Sequence, residues 1–550
     1  MNGIRVKEQM EEKHMEKKIN RKDVIVCALI ILIQVAVLIC VDASKREYHI
    51  DEIYSYLLSN SYDADKISSD ETMYNNWISG DRFDEFITVQ PGEQFAYQKV
   101  YFNNSTDCHP PLFYWLLHTV CSFHPDKFSK WYGLTLNIFL FVIAQIILCL
   151  LSAQLITDAR LQKLPVVMYG LSVYLLETAS FIRMYMLLTV FALLTAYITV
   201  RLIKSDMAKR WMIASWIVIY LGAMTQYYAL ILSFWLVGLI TIRLLHRKEF
   251  KRAAIYALGA LVSVGCVVLS YPYIISQATG SSTNNVGTQV TKNLFNFRLW
   301  IEMMRYLAGQ VVENISYSPR LSYLICLVGV IVLLVLLVTG KKRDRKISCE
   351  AIVIAVGSIL TIVTVAFIGG EYVYLRYIYF VIPLLYCVIF VALDWLVQSV
   401  NKKTLWVNIL AVVCTLFSVA NAAYGTINRQ SVYLYTEKWQ EDQTLERYKD
   451  TKLVAIVGGV EPAVPTGNLT KFRQFDSLYM GTWDDLERMS IIEQCIEDTG
   501  ACVVYINTNT YWTKGYPAQE LLLTLMQKTS SKTYEKICDG GLGEYYLLQK

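Results

Sequence analysis

From residue 24 to residue 424 the chain is a succession of long apolar blocks, separated by short polar and mostly basic segments. Blocks such as Val24–Val41, Leu321–Val338, Ala351–Ile368 and Tyr377–Leu396 are long and continuous enough to be helices that cross a bilayer. After the first block, the candidates lie near 131–156, 164–180, 184–203, 211–224, 227–245, 253–275, 321–339, 350–369, 374–397 and 405–424, so the pattern predicts about eleven spans in all. Three large segments, 43–130, 276–320 and 425–550, are left on one side. The last of them changes character. Strand-like runs at Lys452–Val457, Ala501–Ile506 and Glu544–Leu548 alternate with helical stretches near 484–497 and 518–527, which predicts a small α/β domain. Gly458-Gly459 follows its first strand without a GxGxxG phosphate loop, so nucleotide binding there is not expected.

The charge pattern gives these spans a direction. Arg160 and Lys163, then Arg201, Lys204, Lys209 and Arg210, then Arg243 to Arg252, Lys341 to Lys346 and Lys402-Lys403 all fall in alternate loops. By the positive-inside rule those loops are cytoplasmic, as is the basic tail Met1–Asp23 ahead of a retained first helix. Segments 43–130, 276–320 and 425–550 are then extracytoplasmic. Composition agrees, since 55% of the 550 residues are hydrophobic and only 18% charged, against about a quarter in soluble domains. The net charge of +5 sits between apolar blocks and forms no nucleic-acid face. The 13 cysteines show no metal-ligand spacing. Asn103, Asn104, Asn314 and Asn468 stand in glycosylation-like triplets of the outer segments.

Candidate chemistry collects at the outer ends of the spans. Asp51-Glu52 follows the first span by about ten residues; such a pair is either a solvated helix start or a general base held above the bilayer. The same segment ends in Cys108-His109-Pro110-Pro111, leading into an aromatic stretch expected to lie in the interface, with His109 at headgroup depth. Arg183 stands in an outer hairpin, Tyr227-Tyr228 opens one span and Arg376 begins another. Arginine so close to hydrocarbon is either ion-paired, with Glu177 and Glu371 as the nearby acids, or functional. An acid with several cations and tyrosines at one lipid interface suits a reaction whose leaving group is a phosphate.

In these residues the sequence resembles the GT-C glycosyltransferases, and most of all glycosyltransferase family 39, which includes protein O-mannosyltransferases and lipid A aminoarabinose transferases. The matching residues are Asp51-Glu52, His109-Pro110-Pro111-Leu112, Arg183-Met184-Tyr185, Tyr227-Tyr228-Ala229-Leu230 and Arg376-Tyr377 with Pro383 downstream, over residues 20 to about 424. Where the resemblance leads one to expect an acid before each arginine-tyrosine pair, Ile182 and Leu375 stand instead, with Glu177 and Glu371 nearby.

The resemblance implies a polytopic GT-C membrane unit over 24–424 carrying the α/β domain 425–550. It also implies inverting transfer of a sugar from a polyprenyl-phosphate donor on the outer face. Asp51 would then be the base for the acceptor hydroxyl, and Glu52 would orient it or touch the acceptor. His109, Arg183 and Arg376 would bind the donor phosphate with Tyr227 or Tyr228 as helpers. The acceptor is left open among protein, glycolipid and envelope polymer. No cofactor is implied: Asp51-Glu52 lacks a clear third metal ligand, though a weak divalent site stays open. The rival class is a transporter or flippase of lipid-linked saccharides. Against it, the spans carry few interior polar groups, Gln34 and Asp394 among them, and no halves repeat.

Overall fold

The computed structural model describes residues 21–61, 67, 70–279, 296–339, 347–369, 373–398, 400, 402–458, 463–481, 487–510 and 515–550. Among these, eight helices are long and apolar enough to cross a membrane: Arg21–Ala43, Lys130–Leu155, Tyr185–Lys204, Tyr228–His246, Phe250–Ser270, Cys349–Gly369, Leu375–Val397 and the one that begins at Lys403. The chain is a polytopic helical membrane protein. The other three expected blocks are also helical but take different forms. Lys209–Ala223 has 15 residues, Pro319–Thr339 carries the apolar stretch Pro319–Val335, and 164–180 is broken into Leu164–Gly170 and Val173–Ser180.

That break sets up the site. Carbonyls released by an interrupted helix have no water to bond inside a membrane, so side chains from neighbouring helices must meet them. Gln34 and Gln145 both donate to the carbonyl of Val166 (2.9 and 3.1 Å), and Gln145 also donates to Gln34 Oε1 (2.8 Å). Asn137 donates to the carbonyls of Ala179 and Phe181, both at 2.9 Å. Ser172 caps the second piece through the amide of Leu175 (3.2 Å). The short non-helical stretch Phe181–Met184 then carries Arg183 before the next span starts at Tyr185. Asp394 accepts from the amides of Thr157 (2.9 Å) and Asp158 (3.4 Å), just past the end of the span Lys130–Leu155. Gln34 and Asp394 thus both satisfy backbone.

The C-terminal α/β domain is built on a six-stranded sheet of β1 Trp77–Ile78, β2 Leu453–Ile456, β3 Leu478–Gly481, β4 Ala501–Asn507, β5 Thr533–Asp539 and β6 Gly543–Gln549, in the order β1-β3-β2-β4-β6-β5. The strands β2, β3 and β4 are parallel and the rest antiparallel. Strand β1, Trp77–Ile78, comes from the first outer segment and pairs with Tyr479 and Leu478 of β3. A boundary at residue 425 is therefore crossed by the sheet itself. Asn103, Asn104 and Asn468 are buried, so these glycosylation-like triplets are internal. The stretch after Pro110-Pro111 is also drawn inward. Its helix Leu112–Ser122 buries Phe113, Tyr114, Leu117 and His118 where an interfacial helix was expected.

Gly170 ends the first helical piece because nothing larger fits there: a Cβ would stand 2.1 Å from Gln145 Nε2 and 2.3 Å from Gln34 Cδ. Gly170→Ala is expected to displace both amides from Val166 and destabilise the fold by about 1–3 kcal/mol, read as a lower midpoint of thermal unfolding in detergent.

Candidate active site

The acidic pair opens the helix Ile50–Asn60, where His49 forms a capping box: the amide of Asp51 donates to His49 Nδ1 (3.1 Å) and the amide of His49 to Glu52 Oε2 (2.8 Å). Successive residues on a helix point about 100° apart, so the two acids part company. Glu52 turns inward and its side chain is 0% exposed. Its Oε2 pairs with Lys45 Nζ (3.0 Å) and its Oε1 accepts from the amide of Ile182 (2.8 Å). Glu52 therefore has no path to an acceptor. It holds the first span's exit against the broken helix, and Lys45 is tied in addition to the carbonyl of Tyr433.

Asp51 turns outward and is 27% exposed, with Oδ2 3.2 Å from Arg376 Nη2 and 3.5 Å from His49 Nδ1. Arg183, 5% exposed, donates through Nη1 to the backbone carbonyl of Asp51 (3.2 Å) and to the Tyr114 hydroxyl (3.1 Å). Its Nη2 lies 3.4 Å from His109 Nε2, while His109 Nδ1 lies 2.7 Å from Asp107 Oδ2. With the Nδ1 proton directed at that carboxylate, Nε2 is an acceptor for the guanidinium. Arg376 rests against the rings of Tyr374 (4.6 Å), Phe181 (5.6 Å) and Tyr377 (5.7 Å). Tyr228 extends this wall, with its ring 5.3 Å from that of Tyr377.

The electrostatics separate the acids. Burial pushes the Asp51 carboxyl up, but Arg183, His49, Arg376 and His109 together outweigh it and hold the group below its ordinary value of 3.8. At Asp107 burial is likewise overcome, chiefly by His109 and then by Arg183, which hold it down at about 2. Glu52 goes the other way: burial raises it, against the pull of Lys45 and two backbone amides. The two adjacent acids are thus pushed in opposite directions, Asp51 towards its charged form and Glu52 towards its neutral one. The Nε atoms of Arg183 and Arg376 are both buried without a partner among the described residues. Each is a strong donor whose bonding capacity is unmet.

Asp51, His109, Arg183 and Arg376 are therefore brought into one connected cluster. Tyr227 is a step removed, because its hydroxyl donates to Gln277 Oε1. Glu177 is no partner of Arg183: it lies on the second piece of the broken helix, Val173–Ser180, and it accepts from the Tyr379 hydroxyl (2.5 Å). Glu371 lies outside the described residues. Asp107, Lys45 and Gln277 are additions that the motifs did not single out. Only Asp107 had a local signal, since a carboxylate two residues before His109 can reach its ring in an irregular segment. Asp107, Cys108 and His109 place one ligand atom each within 4.8 Å of one another. Burial pushes the Cys108 thiol well up, which makes it a poor cation ligand, and the other two are already hydrogen-bonded to each other.

Fold and site together define a polytopic membrane protein with a C-terminal α/β domain and an arginine-flanked carboxylate at the ends of its spans that face that domain. Its chain is similar to ArnT from Cupriavidus metallidurans bound to undecaprenyl phosphate, at 12% identity and a TM-score of 0.46, over 95% of this chain and 97% of that one. It is similar as well to the archaeal oligosaccharyltransferase AglB from Archaeoglobus fulgidus in complex with an inhibitory peptide and a dolichol-phosphate. There the identity is 10% and the TM-score 0.42, over 90% of this chain and 72% of that one. No family model matches the sequence, and no curated protein does.

Removing one member of a buried pair leaves the other as an uncompensated charge. Glu52→Gln is expected to cost about 3–5 kcal/mol by stranding Lys45, and Lys45→Met added to it should recover part of the loss. Chemical or thermal unfolding of the three proteins in the same detergent reads the difference.

Proposed function

We propose that this chain is a GT-C-type glycosyltransferase that moves a sugar from a polyprenyl-phosphate donor to an acceptor hydroxyl at the outer face of the membrane, with inversion. The observation that carries this reading is Asp51 itself, its carboxylate paired with Arg376 and its backbone carbonyl held by Arg183, each guanidinium keeping a buried Nε with no partner among the described residues. Asp51 Oδ2 is engaged by Arg376, which leaves Oδ1 to take the acceptor's proton. The acceptor oxygen attacks the anomeric carbon from the face opposite the phosphate. The bond from that carbon to the phosphate oxygen breaks, its electron pair leaves with the polyprenyl phosphate, and Arg183 and Arg376 meet the charge that develops there. His109, held by Asp107, completes the cation wall. Inversion calls for one base and a good leaving group, and a lipid phosphate is one. That Gln34 and Asp394 serve backbone groups speaks against a transport path through the spans.

Purified protein in lipid nanodiscs, offered a panel of polyprenyl-phosphate sugars, is expected to release free polyprenyl phosphate. Asp51→Asn should reduce that turnover by about 10²–10⁴-fold while leaving membrane insertion intact. Turnover unaffected by Asp51→Asn would rule out the base assignment.

The pH profile gives an independent reading. A base must be ionised to work, so activity falls as pH drops through the pKa of Asp51, and the acid limb of the wild type should lie below 3.8. Arg183 is the largest of the cations that lower this group. Arg183→Ala lets the upward push of burial prevail and is expected to move the acid limb of kcat/KM to higher pH. A limb that stays in place would separate Arg183 from Asp51.

A further inference from the structure

We propose that Gln277 is a positioning residue for His109, holding the segment Asn104–His109 in the register that the cation wall requires; this rests on the glycosyltransferase reading for its catalytic consequence. Gln277 is 4% exposed, and it lies in the helix Ile274–Thr279, far from Asp51 in the chain. Its Nε2 donates to the carbonyls of Asn104 (3.1 Å) and Asp107 (2.5 Å), and it lies 3.1 Å from the Tyr271 hydroxyl. Its Oε1 accepts from the hydroxyl of Tyr227. Tyr271 in turn donates to the same Asn104 carbonyl (2.6 Å).

This arrangement answers a local need. Asn104 lies in the last turn of the helix Tyr97–Ser105, where carbonyls lack intrahelical partners, and the segment after it is irregular and mostly half-buried. A carboxamide supplies two donors and an acceptor in one plane. A carboxylate would aim lone pairs at two carbonyls, and an alkyl chain would satisfy none of them. What the amide fixes is the carbonyl of Asp107, whose side chain holds His109 Nδ1 at 2.7 Å and thereby aims Nε2 at Arg183. Gln277 touches none of the reacting groups and acts through Asp107 and His109. Tyr227, expected from the sequence to help bind phosphate, belongs to this support.

Two measurements on full-length protein in nanodiscs test the assignment. Alkylation of Cys108 by N-ethylmaleimide, followed by mass spectrometry of its peptide, reports release of the segment without reference to activity. Gln277→Leu is expected to speed it about tenfold or more, by making local opening easier. Tyr227→Phe, a milder change that keeps the protein folded, should act in the same direction. In turnover, Gln277→Leu should lower kcat by up to about a hundredfold, with a smaller change in donor KM. In a His109→Ala background Gln277→Leu should lower kcat less than about twofold further, since contacts acting through one residue are not additive. Cys108 labelling unchanged in both variants would overturn the positioning role, as would losses that simply multiply in the double variant. If no donor is turned over by the wild type yet Gln277→Leu still uncovers Cys108, the glycosyltransferase reading fails while the hold on the segment stands.

Discussion

The buried ion pair of Lys45 and Glu52 is the contact on which the geometry around Asp51 depends. Two charges withdrawn from water are tolerable only when each finds further partners, and both do. Glu52 also takes the amides of His49 and Ile182, while Lys45 takes the carbonyl of Tyr433. Three parts of the chain meet there: the exit of the first span, the gap between the broken helix and the span at Tyr185, and the entry to the outer domain. Arg183 directly follows Ile182 and Asp51 directly precedes Glu52, so clamping Glu52 to Ile182 sets the separation of the functional acid from its arginine. Lys130 reinforces the corner by donating to the carbonyls of Asp42, Ala43 and Lys45 at and just past the end of the first helix.

The interruption between Leu164 and Ser180 is the second constraint. Irregular backbone within a membrane needs protein partners, and Gln34, Asn137 and Gln145 supply them from two flanking spans. The gain is positional. A continuous helix would fix the direction of Arg183 by its 3.6-residue period, whereas the non-helical stretch Phe181–Met184 lets the guanidinium lie back across the helix Ile50–Asn60.

The outer domain is continuous with this corner. Strand β1 extends its sheet with residues of the first outer segment, and Arg473 pairs with Asp84 of that segment (2.8 Å). Lys471, 3% exposed, is surrounded by Glu47 (3.4 Å), Glu441 (3.4 Å) and Asp442 (3.1 Å). Burial there pushes the Asp442 carboxyl up to about 6, even with Lys471 opposing it. Tyr433, at the entry to the domain, stacks on Phe181 with ring centres 4.0 Å apart. The residues between the last span and the sheet thus form part of the wall beneath Arg376.

Much of this was written in the sequence. Apolar block length marked the spans, and the short motifs singled out Asp51, His109, Arg183 and Arg376, which the fold brings together. Alternating strand and helix runs announced the outer α/β domain, although β3, β5 and the two residues of β1 went unmarked. Local pattern encodes what a segment becomes and which side of a membrane it occupies, because hydrophobicity and charge act residue by residue. It does not encode which of two adjacent acids turns inward. That depends on the helix starting at Ile50 and on Lys45 being there to receive Glu52. Nor does it reveal that Glu177 answers Tyr379, or that Gln277 holds the backbone of Asp107 from about 170 positions away. Those pairings join segments far apart in the chain, and only the packed tertiary structure brings their donors and acceptors within bonding distance.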